Sequence, residues 1–212
     1  MIWRRRLRSA DRGLGWRIAV LFMVGSFLFA LGSFPLYAQN IDPGTVGVTF
    51  VVGSVFFTAA AASQLLLTTR EHGARILVRA CQVQLAGTFF FNFSTADAML
   101  ASLDTEETNR LVWAPDMFGS VAFLVASHLA WLAVCHRLWC VRRDDEDWWI
   151  AVLNYVGSIF FMLSAITSLT LTTTGEVVNL TLVNLGTFIG AVCFLAGAYL
   201  LLPAGRRPVR PA

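Results

Sequence analysis

The chain contains no lysine, so all 16 of its basic residues are arginine, and charge of either sign is scarce at 14% of 212 residues. A soluble domain carries roughly 25%. The deficit is concentrated in six runs, residues 18–38, 46–67, 76–96, 117–139, 149–171 and 180–202, and it excludes an ordinary water-facing fold. No Asp or Glu is expected within the membrane, which argues against a proton-coupled carrier, because such proteins place carboxylates there. No phosphate-cradling glycine loop, HExxH pattern or Ser–His–Asp set stands out either, so a non-enzymatic protein without a cofactor is expected. Cysteine is limited to Cys81, Cys135, Cys140 and Cys193. With no CxxC spacing, these read as small buried hydrophobes and not as a disulfide framework. Cys135, His136 and Cys140 match no familiar metal-ligand spacing.

What is present is long apolar sequence. Runs of ~18 residues or more suffice to cross a hydrocarbon core of about 30 Å, and in lipid such runs are helices, because the backbone must satisfy its own hydrogen bonds. The expected fold is all-α: a polytopic membrane bundle of six transmembrane helices from three tandem hairpins, at about 18–67, 76–139 and 149–202. A basic segment (1–17) precedes it and a basic tail (203–212) follows. The first run is longer than the apolar region of a signal peptide, and Leu36 suits poorly a cut after Ala38, so this helix is expected to stay.

Arginine placement sets the expected orientation. Arg4, Arg5, Arg6, Arg8, Arg12 and Arg17 precede the first run; Arg70, Arg75 and Arg79 flank the second connection. Arg137, Arg142 and Arg143 flank the fourth, and Arg206, Arg207 and Arg210 follow the last run; only Arg110 falls on the other side. The opposite loops are acidic, with Asp42, Asp97, Asp104, Glu106, Glu107, Asp116 and Glu176. Positive charge inside places both termini in the cytoplasm, with tryptophans at the boundaries. The net charge of +3 therefore reports orientation and not nucleic-acid binding. The lipid bilayer is the principal expected partner, and the N-terminal arginines suit anionic headgroups. A protein partner or a homo-oligomer is compatible with the same features.

One pattern recurs in all six runs: Gly, a small residue next to it, Phe four later, and small residues seven and eight later. The glycines are Gly25, Gly53, Gly87, Gly119, Gly157 and Gly190, and the phenylalanines Phe29, Phe57, Phe91, Phe123, Phe161 and Phe194. With 16 Gly and 17 Phe, chance places Phe four after Gly only about once in this chain. On a helix the offsets 0, +4 and +7 fall within about 60° of one another. Each run thus carries a stripe of small residues around one Phe. Helices in lipid gain little from burying apolar surface and associate through close packing, so the stripe is expected to be a packing seam.

These units, carried by Val24-Gly25-Ser26, Val52-Gly53-Ser54 through Phe57, Val156-Gly157-Ser158 through Phe161, and Gly186-Thr187-Phe188-Ile189-Gly190, resemble the YrhK-like family of small bacterial membrane proteins. The first and third hairpins carry the likeness best. The resemblance implies a bacterial inner-membrane protein and brings no functional residue with it.

Polar residues inside the runs are the candidate site: His128, Asn92, Gln84 and Asn154. Gln84 and Asn154 both lie three before the repeated Gly, where the first run has Phe22. Interhelical hydrogen bonding is the plain expectation for all of them. His128 is also suited to proton transfer or haem ligation. A scaffold or accessory protein is the leading expectation. A transporter or channel with its site between repeats is the alternative, and a haem or quinone redox protein a weaker one.

Overall fold

A computed structural model describes residues 9–100 and 102–202, with side chains from residue 13 onward. The terminal arginines Arg4, Arg5, Arg6, Arg8, Arg206, Arg207 and Arg210 lie outside the described residues. The helices are α1 (Ser9–Ser33), α2 (Pro35–Asn40), α3 (Pro43–Arg70), α4 (Arg75–Asp97), α5 (Thr105–Thr108), α6 (Ala114–Cys135), α7 (Glu146–Thr167) and α8 (Leu180–Leu200). A π-helical turn, Asn109–Trp113, joins α5 to α6 without a break. Six helical stretches are long and apolar enough to cross a membrane: α1, α3, α4, the continuous α5–α6 rod, α7 and α8. The protein is an all-α membrane bundle built from three tandem hairpins.

Three boundaries differ from expectation. The first run breaks at Phe34, whose extended backbone leads into Pro35. Proline has no N–H to give and disfavours helical backbone before it, so α1 stops at Ser33 and a short second helix starts. The fifth run ends at Thr167, and the chain then folds over itself through the Thr170–Val177 bridge. The fourth begins twelve residues early, because an Asp104–Glu107 capping box starts a helix where polar composition suggested a loop. At 31 residues this rod is about 46 Å long, well beyond the hydrocarbon core. A further N-cap, Asp42, accepts the Thr45 amide at 2.9 Å. Hydrogen bonding from Thr45 holds its carboxyl below the ordinary carboxylate range.

The helices form a closed ring. α1 packs on α3, α4 on α6 and α7 on α8 within the hairpins; α3 packs on α4, α6 on α7, and α8 returns to α1. Inside each hairpin the seating is reciprocal. A Cβ added to Gly25 would lie 2.9 Å from the Phe57 ring, and one on Gly53 2.9 Å from Phe29. Gly87 and Phe123 meet in the same way at 2.8 Å, and Gly119 and Phe91 at 3.0 Å. In the third hairpin the values are 3.2 Å for Gly157 with Phe194 and 2.6 Å for Gly190 with Phe161. Each glycine makes the socket for its partner's ring.

Because every Phe stands four residues from its Gly, all six rings arrive at one level on the bundle axis. They belong to one buried cluster. Each touches at least two of the others, with centroids 5.1–6.1 Å apart and mostly edge-to-face. Edge-to-face contact sets the positive rim of one ring against the negative face of the next.

The cysteines correct the expectation of four isolated apolar side chains. Cys135, at the end of α6, is bonded to Cys140, with Cα atoms 5.6 Å apart. Cys81 and Cys193 are free. Spacing alone does not show this pairing, which depends on His136 turning the chain back through a left-handed conformation, φ 54°.

Gly190→Ala should lower stability by about 1–3 kcal/mol, since its Cβ would meet both the Phe161 ring and, at 2.9 Å, the Gly157 carbonyl. Gly13→Ala, with open space around it, should be neutral or stabilising by up to about 1 kcal/mol. Thermal unfolding in detergent, read on both variants, checks the contrast; equal effects would show that the socket is not tight.

Candidate functional site

Immediately below the Phe cluster, toward the end of the bundle that carries Arg70, Arg75 and Arg142, the ring of helices lines a partly open chamber of about 40 Å³. At roughly 10–15 Å³ per probe-sized water, it has room for about three or four. All six spanning helices contribute to its wall. The positions three before the repeated Gly are Phe22, Gln84 and Asn154; those eleven after it are Gln64, Ala130 and Leu201. All six line the chamber. The frame is nearly three-fold, but its polar occupants are not: α1 and α8 present Phe22 and Leu201, while α3, α4 and α7 present three carboxamides.

Gln64 is the outstanding member. Its side chain is 8% exposed, and its Oε1 is buried without a hydrogen-bond partner. Such an orphan costs about 1–3 kcal/mol relative to a satisfied group. Asn154 donates Nδ2 to the Ile150 carbonyl at 2.9 Å, so its Oδ1 is left as an acceptor. Ser127 shares a 2.8 Å hydrogen bond with Ser158, and Ser158 also donates to the Asn154 and Phe123 carbonyls. This network pins α6 to α7 beside the chamber. Among the described residues the wall has no Asp, Glu, His or Arg; the acceptor oxygens of Gln64 and Asn154 suit a neutral guest that donates hydrogen bonds.

Of the four polar residues singled out from the sequence, Gln84 and Asn154 meet here and two do not. Asn92 donates to Thr58 Oγ1 at 2.8 Å across the α3–α4 seam, and its Oδ1 is buried without a partner. His128 is half-buried off the axis, with its Nδ1 3.5 Å from the Tyr155 hydroxyl. Among the described residues no group of His, Cys, Asp and Glu is arranged to hold a metal ion. Gln64 joins Gln84 and Asn154 here, and its sequence signal is the offset of eleven residues from Gly53.

A second polar array ties the opposite end of α6 to α7. Asn109 pairs with Thr170 twice, donating to its carbonyl at 2.7 Å and accepting its amide at 3.0 Å. Trp113 donates to the Ala165 carbonyl at 2.9 Å, and Ser120 to that of Phe161 at 3.4 Å. Asp116 belongs to the same array, facing the Ser168 hydroxyl. This corrects one expectation: Asp116 lies in helix α6 and not in a loop. The π turn supplies one extra residue and so re-phases the rod by about 100°, which sets the faces presented by Asn109 and Trp113.

No protein-family model matches this chain, and neither does any curated protein or solved structure.

Asn109→Ala should remove both bonds to Thr170, cost about 1–3 kcal/mol and speed amide exchange across residues 168–179. His128→Gln, which replaces only a long contact to Tyr155, should change stability by less than about 1 kcal/mol. Hydrogen exchange and thermal unfolding of the two variants test the ranking.

Proposed function

We propose that the protein is a non-enzymatic membrane conduit for a small, uncharged, hydrogen-bond-donating solute, with its site in the axial chamber. The observation that carries this reading is the buried, unpartnered Gln64 Oε1 on the chamber wall. Of the buried polar atoms left without a partner, which include Asn92 Oδ1 and the Ser26 hydroxyl, Gln64 Oε1 is the one on a residue that lines the chamber, where a guest could satisfy it. Its position near the axis, shared by all six helices, is where duplicated transport folds place their sites. The Phe cluster is the gate of this conduit, a hydrophobic constriction that bars passage by excluding water.

A scaffold is the second reading, favoured by the interlocking of the six rings, which closes the axis. The repeated Gly stripe gives it no help, because those residues are consumed within the bundle. The family likeness, a bacterial inner membrane and cytoplasmic termini belong to the proposal too. The likeness rests on the Gly-Ser-x-x-Phe units and the orientation on the arginines.

The test is solute-driven volume change in liposomes holding the full chain, read by stopped-flow light scattering with water, formamide and urea. Permeability to at least one of these should exceed that of empty liposomes. Phe123→Ala should raise it further, and Gln64→Leu should abolish it with the thermal midpoint unchanged or higher. Empty-liposome rates for both the natural chain and Phe123→Ala would sink the conduit reading and leave the scaffold.

A further inference from the structure

The connection between α6 and α7 is built around a bond. Cys135 is 5% exposed, at the end of α6, while Cys140, in the loop, is half-buried. Their disulfide encloses His136 to Trp139, which present Leu138 and Trp139 at 76% and 78% exposure. Three indoles hold the same loop by its carbonyls: Trp131 donates to Leu138 at 3.1 Å, Trp148 to Cys140 at 3.1 Å and Trp149 to Arg143 at 2.9 Å. Arg142 donates to the Val134 carbonyl at 3.2 Å, capping the last turn of α6, and pairs with Asp145 at 3.2 Å.

This loop lies at the arginine-rich end of the bundle. If that end faces the cytoplasm, the bond sits where thiols are kept reduced. Disulfides that form there are usually transient and redox-sensing. It also shares a turn of α7 with the chamber. Val134, Cys135, Trp148 and Ala151 form one small core, and α7 residues on either side of Ala151, Ile150 and Asn154, line the chamber wall. Whatever loosens the loop therefore acts on the turn of α7 that holds Asn154.

We infer that Cys135 and Cys140 form a reversible oxidation site, reduced by low-molecular-weight thiols, that fixes or frees the arginine-rich end of α7. One thiolate attacks the more accessible Cys140 Sγ, breaking the bond and releasing Cys135 as thiolate. A second thiol attacks the mixed disulfide, releasing Cys140, and the two small thiols depart as one disulfide. Two electrons pass to the protein, and the protons of the two thiols end on the cysteines. In the reduced state the loop keeps its indole and Arg142 bonds but loses its covalent closure. The chemistry rests on the orientation reading alone; the coupling to the chamber rests also on the conduit.

The experiment uses the full chain carrying Cys81→Ser and Cys193→Ser, in native membrane vesicles equilibrated with glutathione buffers of stepped thiol-to-disulfide ratio. Trapping with polyethylene-glycol maleimide should show no added mass at oxidising ratios and two additions at reducing ones. Hydrogen exchange over residues 136–152 should rise about ten-fold or more on reduction, with α4 unchanged. A pair that stays bonded in the most reducing buffer, or never bonds in the most oxidising, overturns the site. So does exchange that ignores the redox state. A membrane-impermeant maleimide applied to intact cells should fail to label the reduced pair; labelling from outside would refute the orientation, and with it the redox site, while leaving the flux assay of the conduit untouched.

Discussion

Everything in this bundle follows from how near two helix backbones come at six glycines. In lipid no water is expelled when apolar faces meet, so association depends on contact made at short range. Glycine removes the side chain that would hold the backbones apart, and the vacated space is filled by a ring from the partner helix. Since each hairpin does this in both directions, its two helices are fixed in register as well as in separation. The register then brings six rings to one level. That level divides the axis, with the chamber on one side and the Asn109–Asp116 array, off the axis between α6 and α7, toward the other.

The polar chemistry departs from the near three-fold frame. Carboxamides occupy the chamber wall from α3, α4 and α7, whereas α1 and α8 keep it apolar. The same asymmetry runs through the seams. Ser54 meets Thr95 at 3.1 Å between α3 and α4, and Ser127 meets Ser158 at 2.8 Å between α6 and α7. Among the described residues, no side-chain hydrogen bond crosses from α1 to α8; the contact of Phe34 with Phe188, centroids 5.8 Å apart, is of the apolar kind found there. Packing alone would favour equivalent residues at equivalent positions, and both the chamber wall and the seams depart from that.

Much of the architecture was legible because the membrane imposes long apolar runs, and the Gly-to-Phe offset is invariant across them. The misjudged parts are those where a helix runs on into polar sequence. Thr105 to Trp113 reads as a loop by hydropathy, yet an acidic capping box and a π turn continue the rod through it and make Asp116 part of a helix. Gln84 and Asn154 are equivalent by their shared offset before the Gly, but Gln64 lies on a helix running the other way, so its level on the axis is found only by counting in the opposite direction. His128 and Asn92 drew notice as polar groups in apolar helices. Hydropathy says nothing of azimuth, and both point to seams away from the chamber. The Cys135–Cys140 pair could not be inferred from spacing, since it depends on the left-handed turn at His136.

A ring closed between the first and last helices has a history as well as a shape. At about 5–20 residues per second, α1 leaves the ribosome roughly 10–30 s before the end of α8. Through that interval the flank of α1 that α8 will cover faces lipid or the insertion machinery. Ser26 lies in the core of the finished bundle with its hydroxyl unpartnered. Among the described residues no side-chain hydrogen bond has to form across the α1–α8 seam, which suits this wait, because the flank depends on no polar partner that arrives late. The final helix then completes all the contacts of α1 at once, so a chain cut short before α8 leaves an open arc of five spans and no enclosed interior.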